Sequence, residues 1–353
     1  MSKAFRELLK KIGSGPHTGK DLTRLEAAAA TEMMLLQEAT PTQIGAFMIA
    51  HRIKRPTAEE LAGMLDAYDR LGPKLPEIEA SQPVTVLGVP YDGRSRTAPT
   101  SLLTALLLAA VDCPVIMHGG DRMPTKEGVP LIDLWQGLGV DWSQLSLLEV
   151  QKLLEKTHLG FVYLPEHFPL AQKLVTYREQ IGKRPPFATA ELIWTPYAGK
   201  VHLVAGFVHP PTEMLFREVL NLRNISCFTT VKGLEGSCDL PRDRTAIIGI
   251  AGSLSAPEAE IPFERLHLNP YDRGFGGKNV PLEETPQQVK ALQSVLQGKP
   301  SALLKSACWN GGFYLWRCGL CPDLASGIAL AETLFVQGQV AEKLREIVSA
   351  VSR

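Results

Sequence analysis

The chain has 353 residues, 45% of them hydrophobic and 21% charged, so it can bury a large core, and we expect two lobes. Its 37 lysines and arginines balance 37 aspartates and glutamates. The chain therefore has no net positive charge that would attract nucleic acid to the whole protein, although a local basic patch stays possible. The apolar run 102–111 is too short to span a bilayer and no secretory segment is recognised, so we expect a cytoplasmic protein with no membrane partner.

Three helix starts are predicted in the first sixty residues. Each has a threonine three residues before a Glu or Gln, which is the spacing of a capping box. The pairs are Thr23 with Glu26, Thr40 with Gln43, and Thr57 with Glu60. This pattern predicts a small helical bundle.

From residue 84 onward, short apolar runs alternate with helical stretches. The runs are 84–87, 115–117, 161–164, 201–208, 225–231 and 245–250, and residues 212–221 have the spacing of a crossover helix. Such alternation is typical of a mostly parallel sheet with helices on both faces. We therefore predict an α/β fold, with a small N-terminal helical-bundle lobe plus a larger α/β lobe built on a mostly parallel central sheet.

The string GVPYDG, residues 88–93, lies where the first predicted strand feeds a helix. A glycine-rich turn binds phosphate because it aims successive backbone N–H groups at one anion. Here Pro90 has no N–H to give, and Val89 and Tyr91 disfavour positive φ. The position predicts a phosphate turn with fewer backbone donors than usual. Its candidate ligand contacts are Gly88, Asp92 and Gly93.

Two hydroxyl residues, Thr100 and Ser101, begin the apolar helix that follows this turn. Their hydroxyls and the amides at the helix N-terminus can bind phosphate. Alternatively, Thr100 only caps the helix. The sequence leaves both interpretations open.

Six cysteines in a protein expected in the cytoplasm indicate buried packing more than disulfides. Cys318 and Cys321 have the CxxC spacing that can lower a thiol pKa or supply two metal ligands, but no second pair accompanies them. Packing of the last helices is the favoured interpretation.

Strings along the whole chain share one resemblance. They are 22–27, 38–47, 57–63, His118-Gly119, Arg178 with 181–184, 309–312 and the tail 325–348. They resemble the anthranilate phosphoribosyltransferase family, which is glycosyl transferase family 3 within the nucleoside phosphorylase and phosphoribosyltransferase group. The resemblance implies a homologue of a tryptophan-biosynthetic transferase. It also implies a helical lobe over 1–75 with an inserted helical segment near 170–190, an α/β lobe over 76–353, and a homodimer through the helical lobe.

In that family, phosphoribosyl pyrophosphate (PRPP) is held by the glycine-rich turn and magnesium, while the amine of anthranilate attacks the ribose. The family's metal motif aligns with residues 235–239, where Cys238 replaces a carboxylate and is a poor ligand for magnesium. The resemblance therefore implies a weakened magnesium site at Glu235 and Asp239. A solvated loop is the alternative.

The acceptor motifs also depart from the family. His118 and Gly119 are retained, but Gly120 replaces the asparagine of the His-Gly-Asn turn. Arg178 matches the family's arginine for the acceptor carboxylate, and Arg184 in the basic loop is a ligand contact or a surface charge on a hinge between the lobes.

Glu191 lies near the expected acceptor pocket. Its carboxylate would repel a benzoate-type acceptor unless a neighbouring cation neutralises it. Arg178 therefore either binds an acidic ligand or pairs with Glu191.

Two hypotheses follow. The first is a transferase that uses a phosphorylated ribose, or another anionic small molecule, and an acceptor that is not anthranilate. The second is a non-catalytic binding protein for a nucleic acid or a nucleotide; the altered turn favours it, whereas the neutral net charge does not support its nucleic-acid version. Both hypotheses place the ligand between the lobes, near Gly88, Thr100 and His118 at the carboxyl ends of strands.

Overall fold

Four helices form the N-terminal lobe. The computed structural model describes residues 3–15, 17–252 and 262–351. In this part of the chain the lobe contains α1 (Lys3–Gly13), α2 (Arg24–Leu35), α3 (Pro41–Lys54) and α4 (Ala58–Leu71). All three predicted capping boxes form, at the starts of α2, α3 and α4. The predicted helical bundle is confirmed, with α2 packed on α4 and α1 on α3.

A central sheet forms the second lobe. Its strands within the described residues are β1 (Val84–Gly88), β2 (Val115–Gly119), β3 (Leu159–Tyr163), β4 (Val201–Gly206), β5 (Phe228–Val231), β6 (Ala246–Ala251) and β7 (Glu264–Leu268). They are ordered β3-β2-β1-β4-β5-β6-β7. Strands β1 to β5 run parallel to one another, while β6 pairs antiparallel with both β5 and β7. The predicted mostly parallel sheet is confirmed.

The seventh strand was missed in the sequence. Glu264–Leu268 lies at the edge of the sheet and is partly or fully exposed along its length. A solvent-exposed edge strand does not form the short, mainly apolar run in which each inner strand lies. The apolar runs predicted the inner strands because β1, β2, β3 and β5 are buried along their whole length.

The remaining helices cover the sheet and join the lobes. They are α5 (Ser101–Ala109), α6 (Leu131–Gly137), α7 (Leu147–Thr157), α8 (Leu164–His167), α9 (Pro169–Gln172), α10 (Val175–Ile181), α11 (Phe187–Ala190), α12 (Pro210–Leu222), α13 (Thr285–Leu296), α14 (Ala302–Arg317), α15 (Leu324–Val336) and α16 (Gln339–Val351). None of the helices in the described ranges is long and apolar enough to cross a membrane.

The segment from α9 to α11 packs on the N-terminal lobe. Helix α10 contacts α3, and α11 contacts α4. The ring of Tyr68 in α4 packs edge-on against Phe168 at 5.1 Å and against Trp194 at 5.6 Å between centroids. Since Arg178 lies in α10 and Glu191 directly follows α11, this packing brings both residues to the junction of the lobes.

Candidate functional site

A cleft of about 450 Å³ lies between the lobes, at the carboxyl ends of β1 and β4. One wall comes from α3 and the segment 178–192, and the other from the turn after β1, residues 206–212 and the segment 235–236. Five of the twelve predicted site residues line it: Asp92, Arg178, Arg184, Glu191 and Glu235. The cleft is a concave site at the place where open α/β sheets bind ligands.

The turn after β1 is closed by its own side chains. Tyr91 is buried, and its hydroxyl lies 2.5 Å from Nδ1 of His118 at the end of β2. Burial lowers the pKa of His118 to about 4, so the imidazole is neutral at neutral pH. His118 and the adjoining Gly119 are buried and lie behind the cleft wall instead of in it.

Two glycines of the turn are required by sterics. A Cβ on Gly88 would lie 2.1 Å from the carbonyl oxygen of Leu192, and Gly93 has a φ of +73°. The N–H of Gly93 donates to the carbonyl of Pro90 at 3.1 Å, so that amide is used within the turn. The glycines therefore shape this turn, and neither lines the cleft.

Arg184 and Asp92 form an ion pair at the mouth of the cleft. The side chain of Arg184 is 48% exposed, and its carbonyl accepts a hydrogen bond of 2.7 Å from the Arg52 guanidinium. Burial raises the pKa of Asp92, although the nearby Arg184 opposes this shift. The sequence prediction did not include Arg52, which joins Arg184 only because α10 packs on α3.

Arg178 and Glu191 form a buried, two-contact ion pair. Both guanidinium NH groups donate to the carboxylate, NH1 to Oε2 at 3.0 Å and NH2 to Oε1. The two side chains are 4% and 2% exposed. Burial alone would lower the pKa of Arg178, but the charge of Glu191 holds it above its usual value. Of the two alternatives for Arg178, the structure has the pairing with Glu191.

Thr100 and Ser101 lie behind the turn. Both are buried, and Ser101 lines a cavity of about 20 Å³ beside Pro90 and Gly93 instead of the large cleft. Thr100 is the N-cap residue of α5, but its side chain makes no capping hydrogen bond. Its hydroxyl is buried with no hydrogen-bond partner among the described residues. Phosphate binding by these hydroxyls stays a prediction.

Glu235 and Asp239 face arginine and lysine side chains. Arg94 donates to Asp239 Oδ2 at 2.7 Å and to Glu235 Oε1 at 3.3 Å, and Lys126 lies 2.6 Å from Glu235 Oε2. Burial favours the neutral acid, but Lys126, Thr97 and Arg94 outweigh it and hold the pKa of Glu235 well below its usual range. Neither Arg94 nor Lys126 was identified in the sequence, because their positions in the chain do not reveal their distant partners.

This arrangement does not fit the magnesium site that the resemblance implied. Magnesium takes oxygen ligands in octahedral geometry and keeps several waters. Here the carboxylate oxygens of Glu235 and Asp239 instead accept hydrogen bonds from the Arg94 guanidinium and the Lys126 ammonium. Among the described residues, no group of three or more His, Cys, Asp or Glu side chains is placed to hold a metal ion. The alternative of a solvated loop is also wrong, because the Glu235 and Asp239 side chains are only 3% and 1% exposed.

The CxxC pair is part of the core. Cys318 and Cys321 are buried free cysteines, as are the other four. Cys318 lies 3.5 Å from the Thr85 hydroxyl and 3.9 Å from Nδ1 of His202, beneath the sheet. The packing interpretation agrees with this position.

Two family models match the chain. One is the helical bundle domain of a glycosyl transferase family, over residues 6–72, and the other is the a/b domain of that family, over residues 93–341. The chain belongs to this glycosyl transferase family, which is the family that its sequence resembles.

Curated relatives match over nearly their whole length. The anthranilate phosphoribosyltransferase of Afipia carboxidovorans is 28% identical, with 99% of each chain covered. That of Rhodopseudomonas palustris (strain BisA53) is 27% identical, with 98% of this chain and 97% of the relative covered.

Solved structures show the same fold. The anthranilate phosphoribosyltransferase of Saccharomyces cerevisiae in complex with PRPP and Mg aligns with a TM-score of 0.82 at 18% identity, with 99% of both chains covered. The enzyme from Thermus thermophilus aligns with a TM-score of 0.76 at 20% identity, with 100% of both chains covered.

Proposed function

We propose that this protein transfers a glycosyl or phosphoribosyl group from a phosphorylated ribose donor to an acceptor other than anthranilate. Family membership supports the reaction type, and the cleft between the lobes supports a small-molecule substrate. The observation that carries the choice of acceptor is the buried pair of Arg178 and Glu191 in the cleft wall.

The pair removes the cation that an acidic acceptor needs. Replacing Glu191 as the partner of Arg178 would leave a buried carboxylate unpaired, at a cost of about 3 to 5 kcal/mol. The acceptor is therefore neutral or cationic at the end that meets this wall.

Positive charge for the donor lies at the mouth of the cleft. Arg184 and Arg52 line the cleft and are exposed. In glycosyl transfer the leaving group becomes anionic as the sugar carbon becomes cationic, so fixed positive charge near the leaving group lowers the barrier. We assign Arg184 and Arg52 to binding and orienting the anionic end of the donor.

A non-catalytic binding protein is the second candidate. The contact of Tyr91 with His118 fills the turn that would hold phosphate, and Arg94 occupies the carboxylates of the implied metal site. Four exposed cations at or beside the mouth supply a local basic patch despite the neutral net charge: Arg52, Arg55, Lys183 and Arg184. The first two contacts argue against catalysis, and the basic patch supports a nucleotide or nucleic acid as the ligand.

The deciding experiment combines binding and turnover. Purified protein is titrated with PRPP, and then incubated with PRPP, magnesium and anthranilate while anthranilate fluorescence is followed. We expect PRPP to bind, and Arg184→Ala to weaken binding about tenfold or more, the size expected for one charge-assisted contact. Lys183→Ala is the matched control, because Lys183 is exposed beside Arg184 but does not line the cleft.

The outcomes separate the candidates. Anthranilate turnover of about one per second, within the usual range of kcat, would refute the proposed acceptor. Failure of PRPP to bind would refute the donor and leave the second candidate. That candidate requires single-stranded oligonucleotide binding that weakens steeply with salt.

We also propose a homodimer formed through the helical lobe, as the resemblance implied. The exposed apolar side chains of Leu25, Leu36 and Ile53 in that lobe support it. Light scattering that gives a monomer mass at micromolar concentration would exclude this assembly. The cytoplasmic location stays a prediction for cell fractionation.

A further inference from the structure

Arg94 lies between the two carboxylates that the resemblance assigned to magnesium. One of its terminal nitrogens donates to Asp239 Oδ2 and to the Ser237 hydroxyl, each at 2.7 Å. Its Nε donates to Glu235 Oε1 at 3.3 Å, and its other terminal nitrogen donates to the Thr97 hydroxyl. The guanidinium thus bridges both carboxylates from a side chain that is 5% exposed.

Backbone N–H groups and Lys126 also donate to these carboxylates. Glu235 accepts backbone N–H groups from residues 95, 96 and 97 at 2.9 to 3.1 Å, and Asp239 Oδ2 accepts that of Thr100 at 3.1 Å. Lys126 bridges Glu235 Oε2, at 2.6 Å, and the carbonyl of Gly93, at 2.7 Å. Two buried carboxylates therefore meet two cations of the chain, which balances their charge.

Glu235 has an unfavourable backbone conformation, which its contacts with neighbouring groups maintain. Its φ is +56°, a left-handed conformation that costs a residue with a Cβ about 1 kcal/mol or more. The loop 95–97 and the two cations hold the carboxylate in place against that cost. For a divalent cation to enter, the Arg94 charge would have to leave both partners, and an unpaired buried charge costs several kcal/mol.

We propose that Arg94 is a built-in replacement for the divalent cation. With Arg94 present, Glu235 and Asp239 bind no divalent metal; with its side chain removed, the two carboxylates become a divalent-cation site. Anion binding in the adjoining cleft is consequently independent of metal. This inference concerns the cation alone and holds for either candidate function.

Mn²⁺ binding tests the proposal, because Mn²⁺ takes the same oxygen ligands as magnesium and is detected by electron paramagnetic resonance. We expect no Mn²⁺ binding at this site in the wild type, and binding at least about tenfold tighter in Arg94→Ala, where the cation gains two carboxylates. Mn²⁺ and Mg²⁺ should also raise the Tm of Arg94→Ala and leave that of the wild type unchanged.

The matched control is Arg96→Ala. Arg96 lies 3.9 Å from the same carboxylate of Glu235, but its side chain is 77% exposed, and its backbone N–H, which contacts Glu235, is kept in the variant. This variant should behave as the wild type does. The double variant Arg94→Ala/Glu235→Gln should lose the Mn²⁺ binding that Arg94→Ala gains.

Two results would overturn the proposal. One is Mn²⁺ binding by the wild type that Glu235→Gln removes. The other is a folded Arg94→Ala protein, verified by circular dichroism, that binds no more Mn²⁺ than the wild type. If Arg94→Ala does not fold, Arg94→Gln takes its place, and the wild-type measurement still decides whether the native site takes a metal.

Discussion

Glu60 is buried at the start of α4, where it accepts hydrogen bonds from three segments. The N–H groups of Leu22 and Thr57 and the Lys54 ammonium each lie 2.8 Å from its oxygens, and His51 Nε2 lies at 3.4 Å. Burial alone would raise its pKa, but these donors outweigh burial and lower the pKa of Glu60 to about 2. One carboxylate thus ties the start of α2 and the end of α3 to α4.

This pKa predicts a stability change in acid. A depressed carboxyl pKa stabilises the fold above the ordinary value of 4.5, and the stabilisation is lost as the pH falls from there to about 2. We expect Glu60→Gln to lower the free energy of unfolding by about 3 kcal/mol at neutral pH and to flatten its pH dependence in that window. Urea denaturation at several pH values measures both.

Glu59→Gln is the control for this prediction, because Glu59 is the exposed neighbour of Glu60. It should keep the wild-type pH dependence. An equally steep acid loss in Glu60→Gln would show that other groups cause it.

At the scale of elements, helices α2 and α4 cross at Gly63. A Cβ at Gly63 would lie 2.2 Å from the carbonyl oxygen of Arg24 and 3.0 Å from the Cβ of Ala27. Since the nearest atom belongs to the backbone of α2, no side chain can move aside to make room. Small residues at this crossing let the two helices approach closely enough to bury the core of the lobe.

We expect Gly63→Ala to destabilise the protein by about 1 to 3 kcal/mol, because the helices must separate. Gly45→Ala in α3 is the control, since its added methyl group would meet only a side-chain atom of Ile181 at 3.8 Å. Helix propensity predicts that this control stabilises by up to about 1 kcal/mol. The two midpoints of chemical denaturation should move in opposite directions, and a shift of both in the same direction would contradict the packing argument.

At the scale of the whole molecule, an ion network joins the lobes at the end of α12. Arg223 contacts Asp66 and Asp69 of α4. Arg24 of α2 lies 2.6 Å from Asp66 and donates to the carbonyl of Leu222 at 2.9 Å. The other end of α12 lines the cleft, so this network helps to set the position of the cleft wall.

Arg223→Ala should loosen the contact between the lobes. We expect it to lower stability by about 1 to 2 kcal/mol, since its partners are partly exposed and a network is stronger than one surface pair. Hydrogen exchange should speed up in α2, α4 and α12 and stay unchanged in α14. Arg217→Ala on the same helix is the control. The guanidinium carbon of Arg217 lies 3.6 Å from the centre of the Phe263 ring, a contact within the α/β lobe and not at the junction. Faster exchange throughout the chain would argue against a local junction.

The lobe boundary near residue 75 stays a prediction.

The sequence by itself determined the features that depend on near neighbours. Each capping box joins residues three positions apart, and each inner strand lies in a short run of mainly apolar residues, so both could be predicted without the fold. The same holds for the missing donor at Pro90, since that residue has no N–H in any environment. Fold class and family followed from such local patterns.

Only the tertiary structure decided which charges meet. Arg94 is 145 positions from Asp239, and no local pattern distinguishes it from the exposed Arg96. The sequence left Arg178 either to bind an acidic ligand or to pair with Glu191, and the packing of α10 and α11 brought Glu191 to it. Ion pairing depends on distance and burial in three dimensions, which the spacing of residues along the chain does not fix. Folding therefore decided which side chains line the cleft. The position of the cleft between the lobes could be predicted from the order of strands and helices in the sequence.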